Sequence, residues 1–412
     1  MAKNFASIHA SGNDAVALNQ RIFVKEEVTR GTLVVPAATD FFFHLEGASV
    51  NFSQPVESSP HKTDRHHTSV IKQKTVTEWT IPTFFNIDSS LGAASTAEID
   101  PALRVLWKSL LGREQTAPNL IYDAATDPSI TFSVYENLDV MAKQTPGCAV
   151  DTGNITLPGD GQSQMEWGGM AKTSLYVGLG RSDIDNNGGN TVTVSAGEGV
   201  RFPAGGKVML VEADGVTRSA DTPTGSARTV VSVAGDVVTL DGAALADADG
   251  SGTPVYLAYY EPEEPLVAVN DPQTGLEGFV TIAGLPTAAC IRSASINISN
   301  NHEYEDYCFG KDGLGDVIFT PAGRLTVEVT LELNLTKEMV GYLNTLREFT
   351  GENITITLGP TAGRRLQIDV PKAIFSLPAI TVPGTGTIPV SFTGTAYQTS
   401  NGAADEITVQ FL

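Results

Sequence analysis

Strict alternation is the strongest signal in this chain. Leu325, Val327, Val329, Leu331 and Leu333 alternate with Arg324, Thr326, Glu328, Thr330 and Glu332. Such a period of two predicts a strand with one buried face and one polar face, the latter carrying Glu328, Thr330 and Glu332. Shorter alternation recurs at residues 48–53 (ASVNFS) and 294–299 (ASINIS), which align without a gap. Two segments switch to helical spacing. Leu103, Leu106, Trp107 and Leu110 fall at i, i+3, i+4 and i+7, as do Met339, Tyr342, Leu343 and Leu346, so each predicts an amphipathic helix. Asp100-Pro101 makes a good helix start. Thr336 stands at the equivalent place of the second helix, with Glu338 near the positive end of its dipole. Gly112 and Gly351 are the expected stops.

These elements occur twice in the same order. Residues 155–171 (ITLPGDGQSQMEWGGMA) and 380–396 (ITVPGTGTIPVSFTGTA) share seven identical positions. A repeat at this distance points to a duplicated domain and not to a short-period solenoid. The first copy is longer by about one loop between its first strand and its helix, and by about another between helix and final hairpin; such insertions are expected on surface loops. The first surplus is assigned to residues 54–74, with Pro55, Pro60 and the cluster His61, Arg65, His66 and His67. It predicts a long hairpin or arm that projects from the body. Pro82 weakens the equivalence of the first copy around residues 75–85, since proline favours an edge or a bulge.

Residues 179–262 have no counterpart in either copy. Short apolar runs at 191–195, 207–212, 228–233, 236–240 and 255–260 are separated by Gly-rich turns, which predicts a small β-barrel or sandwich. A Glu-Pro-Glu-Glu-Pro hinge follows at 261–265. The expected organisation is therefore 1–178, a first domain with an N-terminal arm; 179–262, an inserted all-β decoration; and 263–412, a second domain. The fold class is mainly β: two tandem β-sandwich or barrel domains, each flanked by one helix, plus the small insert.

Composition agrees with many turns and short strands: 40 glycines and 18% charged residues in 412. No apolar run reaches the length of a bilayer and the N-terminus lacks a signal-type apolar core, so a soluble chain without Sec export is expected. Cys148, Cys290 and Cys308 lie in no ligand spacing and read as buried thiols of a reducing compartment. A net charge of −21 opposes tight nucleic-acid binding, which depends on Lys and Arg. It suits solubility, or a passage that nucleic acid must cross without sticking.

Candidate chemistry is sparse. Asp183, Asp185, Asn187 and Gly188 begin like a calcium loop, but Val194 occupies the place of the bidentate acid, so a polar turn is expected. The Asp247–Asp249–Gly250 cluster reads as a hairpin loop. His61, His66 and His67 have no patterned second ligand set and read as an exposed arm. No nucleophile elbow, zinc-protease motif or phosphate loop is present, and Trp79 and Trp107 fall at core positions. No cofactor and no enzymatic activity are expected.

The arrangement resembles the bacteriophage tail tube proteins, the major tail proteins of long-tailed phages. Residues 24–32 (VKEEVTRGT) are similar to a Glu-Glu-x-Thr-x-Gly-Thr opening common among them. The strand–strand–helix–strand order closed by a Pro-Gly hairpin carries the resemblance further, as does the Ser-x-Asn-x-Ser strand at Ser49 and Ser295. It covers about 48–174 and 265–412, with the first 47 residues less closely matched and the middle segment outside it. The resemblance implies a structural virion protein, assembled in the host bacterial cytoplasm, whose units form rings that stack into a tube for the genome. A duplicated chain then needs three copies per ring, a homotrimer with pseudo-sixfold symmetry. Implied partners are the chain itself, a tape-measure protein and tail-terminator or tip proteins, with DNA passing unbound. On this view the His61, Arg65, His66 and His67 arm contacts the next ring, and Glu328, Thr330 and Glu332 form a polar face of the tube wall. The alternative is an adhesin or carbohydrate-binding β-protein of a tail tip or cell surface.

Overall fold

A computed structural model describes the chain apart from residues 1–2, 12–14, 55, 59–69, 73–75, 86–98, 117–118, 126–129, 183–188, 246–254, 264–272, 284, 286–290, 305–318, 322 and 360–362. After helix α1 (Phe5–Ser11), the first half contains β1 (Gln20–Glu26), β2 (Ser49–Ser53), β3 (Val76–Phe84), helix α2 (Pro101–Leu111), the hairpin β4 (Gly112–Gln115) and β5 (Leu120–Ala124), β6 (Phe132–Leu138), β7 (Met141–Pro158), β8 (Gln164–Ala171) and β9 (Leu175–Val177). The middle segment holds β10 (Leu179–Ser182), β11 (Thr191–Thr193), β12 (Lys207–Val211), β13 (Arg228–Ala234), β14 (Val237–Leu240) and β15 (Val255–Tyr259). The second half contains β16 (Gly278–Ile282), β17 (Ile291–Ser299), β18 (Thr326–Asn334), helix α3 (Met339–Leu346), β19 (Glu352–Leu358), β20 (Leu366–Phe375), β21 (Pro389–Ala396) and β22 (Thr408–Phe411).

The two halves pair their strands in one order. In the first it runs β1–β6–β7–β8–β3–β2, with β9 also on β7. In the second it runs β16–β19–β20–β21–β18–β17, with β22 on β20. All these pairings are antiparallel. The registers correspond residue by residue: Thr80 lies between Ser49 and Gly168, as Thr330 lies between Ser295 and Thr393. The long strand β7 bends at two register breaks, near Gly147 and Asp151, so its first part pairs with β6 and β9 and its second with β8 and β17. A bulge supplies the local kink that lets one strand serve two sheets.

Besides the bonds of residues 273–275 to Phe85 and residues 161–163, two strand ladders join the halves among the described residues. Residues 152–158 of β7 pair with residues 293–299 of β17, which joins the halves into one continuous sheet. Asn300 reinforces the seam by donating from Nδ2 to the Leu110 and Val150 carbonyls, at 2.9 and 3.1 Å. Second, β22 pairs with β5. The extra residues after α2 are thus not a surface loop as expected but a hairpin with Leu120, Tyr122 and Ala124 buried.

Helix α2 buries Leu103, Leu106, Trp107 and Leu110, the face its spacing predicts, and ends on Gly112 at φ 90°. Trp107 meets Trp167 edge-on at 5.0 Å and Phe411 at 6.5 Å, so the core is common to both halves. Trp79 is buried as well. Helix α3 buries Met339, Tyr342 and Leu346, with Leu343 half-buried, but differs at its ends. It begins after a turn at Thr336, whose carbonyl accepts from Met339 N, and it stops at Leu346 before Phe349 at φ 54°, short of Gly351.

Two further expectations change. The surplus of the first half before its helix is not the arm, because both halves carry one: Val56–Ser58 pairs with Val70–Lys72, and His302–Tyr304 with Phe319–Pro321. The difference lies between Phe84 and Pro101, against the short step from Asn334 to Met339. Pro82 sits inside a regular strand, opposite Glu166. Its carbonyl accepts from Leu45 N, so its missing N–H faces the side where β2 has already ended at Ser49, and no ladder bond is lost.

The middle segment folds into a sheet in the order β10–β15–β12–β13–β14–β11. Its two outer strands approach through Ser195 N, which donates to the Arg181 carbonyl at 2.7 Å. Its core includes Phe5 of α1 and Phe23, Tyr135 and Ala142 of the first half. The anticipated hinge is not free at its start, since Glu261 is buried and pairs with Lys3 and Arg21 at 3.2 and 2.9 Å.

Candidate functional site: the polar face of the continuous sheet

Eight strand segments make the shared sheet, in the order β2–β3–β8–β7–β17–β18–β21–β20. One face is buried throughout: Val50, Trp79, Ile81, Trp167, Ile155, Ile296, Val329, Leu331 and Phe392 all lie in the core. The other face is polar because every strand alternates. One line across it reads Pro82, Glu166, Asn154, Asn297, Glu328 and Thr395. The next reads Thr156, Ser295, Thr330 and Thr393.

The expected wall residues Glu328, Thr330 and Glu332 stand on this face, with Glu328 and Glu332 exposed and Thr330 half-buried. Ser293 Oγ donates to Glu332 at 3.2 Å, and the Thr330 and Thr393 hydroxyls lie 3.4 Å apart. Glu78 and Glu166 add exposed carboxylates from the first half. Across β2, β3, β8, β18 and β21 no Lys or Arg occurs, whereas β17 carries the exposed Arg292 and β20 carries Lys372. Uncharged hydroxyls and amides with scattered carboxylates give a face that hydrates well and repels phosphate. The alternation of 324–333 revealed three of these residues; Glu78, Glu166 and Asn297 needed the register, which depends on distant partners.

The residues of the other proposed site, His61, Arg65, His66 and His67, lie outside the described residues. So do the Asp183–Gly188 turn and the Asp247–Gly250 cluster. Cys148 is buried, and burial pushes its thiol well above the usual range, which makes it an inert core residue. Among the described residues no group of three His, Cys, Asp or Glu gathers as metal ligands would, and no helix is long and apolar enough to cross a membrane. A cleft of about 560 Å³ beside α1 is lined by His9, Met141, Tyr176, Glu198 and Arg201. Its charged groups satisfy one another: Glu198 accepts from His9 at 2.8 Å and from Arg201 at 3.1 Å.

The opening motif has a structural use. The Glu27 carboxylate accepts from Gly31 N, Gly147 N, Thr131 Oγ1 and Ser133 Oγ, all at 2.7–2.8 Å. Glu26 pairs with Lys108 of α2 at 2.7 Å. The two glutamates therefore fasten the turn after β1 to the first half's strands and helix.

No curated protein matches the chain. Residues 234–396 match the family model described as "Phage tail tube protein". The match begins at the last residue of β13, inside the middle segment, and ends with the last residue of β21. Over these residues the chain is similar to the phage tail tube proteins, and the β-rich fold agrees with that likeness.

Proposed function

We propose that each chain supplies two of six wall units of a ring, that three chains close the ring, and that stacked rings form the conduit for genome delivery. The repeated strand order carries this reading: the joint between β7 and β17 is already a joint between two equivalent units. Each half is a tube domain, as a duplication would produce, although the family match covers only the second. The polar face is the lumen wall, where Glu328, Thr330 and Glu332 keep DNA in motion by hydration and like charge. The protein works without catalysis or cofactor.

The middle domain sits outside the tube, the arm at His61, Arg65, His66 and His67 contacts the next ring, and its counterpart between His302 and Pro321 does the same from the second half. A tape-measure protein in the lumen and terminator or tip proteins at the ends complete the partners, assembled in the host cytoplasm. Negative-stain microscopy of the purified chain tests this. Hollow tubes with threefold outer bumps are expected. A chain that stays monomeric at high concentration and with tip complex, and instead binds a glycan, is an adhesin.

A further inference from the structure

The internal joint is a template for the joint between copies. In the first half, Ile155 and Leu157 are 1% and 5% exposed because β17 lies beside them. Their counterparts in the repeat, Ile380 and Val382, are 45% and 70% exposed, and residues 377–383 carry no ladder pairing among the described residues. At the opposite end of the sheet, β2 pairs with β3 alone among the described strands. Its sequence is the counterpart of β17. The two free edges therefore have the same chemistry as the two edges already joined inside the chain.

A glycine adds an independent observation. A Cβ on Gly159 would run into the Arg292 carbonyl of the facing strand, whereas Gly384, at the same place in the repeat, has nothing within 4 Å. Space is kept at Gly384 for a backbone that the single chain does not provide. Meanwhile the Ala48 and Val50 carbonyls of β2 accept from Gln20 Nε2 at 3.1 Å and Lys143 Nζ at 3.0 Å. Side chains thus cover this edge in the free chain, and Pro378 and Pro383 remove donors from the other, both common ways to blunt a strand against indiscriminate pairing.

We infer that the 377–383 edge of one copy pairs antiparallel with 47–53 of a second copy, with Ile380 opposite Val50, Thr381 opposite Ser49 and Val382 opposite Ala48. This rests on the tube reading above and fixes its register. The register sets the bore. A perpendicular line from Ser49 passes Thr80, Gly168 and Thr152 and arrives at Ser299, four residues beyond Ser49's counterpart Ser295. A stagger of four residues for every four strands makes shear equal to strand number. Three chains of eight wall strands then close with a tilt of about 35° and a backbone diameter of about 45 Å. The joint between copies lacks the β5–β22 clasp, because the second half has no hairpin after its helix, so it is the weaker of the two.

Disulfide trapping tests the register. Oxidised tubes of the Thr381→Cys, Ser49→Cys double variant should run as linked dimers and trimers on a denaturing gel, above the background of each single variant. Thr381→Cys with Ser53→Cys should not. Tubes that form but link only through the displaced pair, or through neither, overturn the register and leave the tube standing. A parent chain that forms no tubes removes the tube reading itself. Val382→Asp and Gly384→Val, at exposed positions, should keep the parent's thermal midpoint and abolish tubes. Normal tubes from both would show that this edge is not the joint.

Discussion

Two glycines of the repeat, Gly169 and Gly394, are the same residue for the same reason: an aromatic ring lies over each, Trp79 over the first and Phe375 over the second. Added volume there must displace a buried ring or a backbone carbonyl. Gly169→Ala should therefore destabilise by about 1–3 kcal/mol, visible as a lower thermal midpoint, while Gly384→Ala, over open space and without a positive φ, should cost far less. An unchanged midpoint for Gly169→Ala would contradict the packing. Glu27 works by acceptance, and its replacement by Ala leaves two backbone N–H groups and two hydroxyls without it. A loss of at least about 2 kcal/mol is expected, read by thermal unfolding, and Glu27→Gln should recover part of it. Glu114 gives a pH signature. Burial raises its carboxyl, but hydrogen bonds from Arg104 and Tyr122 outweigh burial and hold it below the ordinary glutamate value. A depressed carboxyl stabilises above its unfolded pKa, and that contribution is lost as pH falls through the folded one. The midpoint gap between the parent and Glu114→Gln should thus be widest near neutrality and close on acidification. A gap independent of pH would refute the assignment.

Among the elements, those with local periodicity were legible and those defined by remote partners were not. The alternation at 324–333 fixes β18 and its polar face, and the spacing of Leu103, Leu106, Trp107 and Leu110 fixes α2 because its buried face is continuous. Strand β7 was visible only from residue 155, since Pro146 and Gly147 interrupt a strand that bulges keep in the ladder. The β4–β5 hairpin escaped because its partner β22 lies at the other end of the chain. Strand β10 was missed for its Gly-Arg-Ser composition, and the proline-rich hinge misled because Lys3 and Arg21 anchor Glu261. That anchoring alters what removal of the middle domain should do. Deleting 179–262 uncovers Phe5, Phe23 and Tyr135, all in its core, so the shortened chain should aggregate on its own. Replacing those three by polar residues and trimming α1 should restore a soluble chain that still forms tubes. Clean tube formation by the simple deletion would show that the middle domain is merely tethered.

At the scale of the whole molecule, the proposed tube has a protein of charge −21 enclose a polyanion. Adhesion to DNA grows with each Lys or Arg that displaces a counterion, and a wall repeating the same residue in every copy would multiply that adhesion along its length. On the proposed wall, β2, β3, β8, β18 and β21 limit this by carrying Ser, Thr and Asn between Glu78, Glu166, Glu328 and Glu332, which outnumber Arg292 of β17 and Lys372 of β20. The prediction is an inversion of sign. Replacing Glu166, Glu328 and Glu332 with Lys changes exposed positions only, where substitutions rarely move stability by more than about 0.5 kcal/mol, so tubes should still assemble. Parent tubes should leave a short fluorescent DNA duplex in the supernatant after centrifugation at low salt. Variant tubes should retain it, and retention should fall steeply as salt rises, as counterion release requires. If the variant assembles and remains indifferent to DNA, the polar face does not line the bore. If parent tubes retain DNA equally well, repulsion by these carboxylates is not what keeps the passage open.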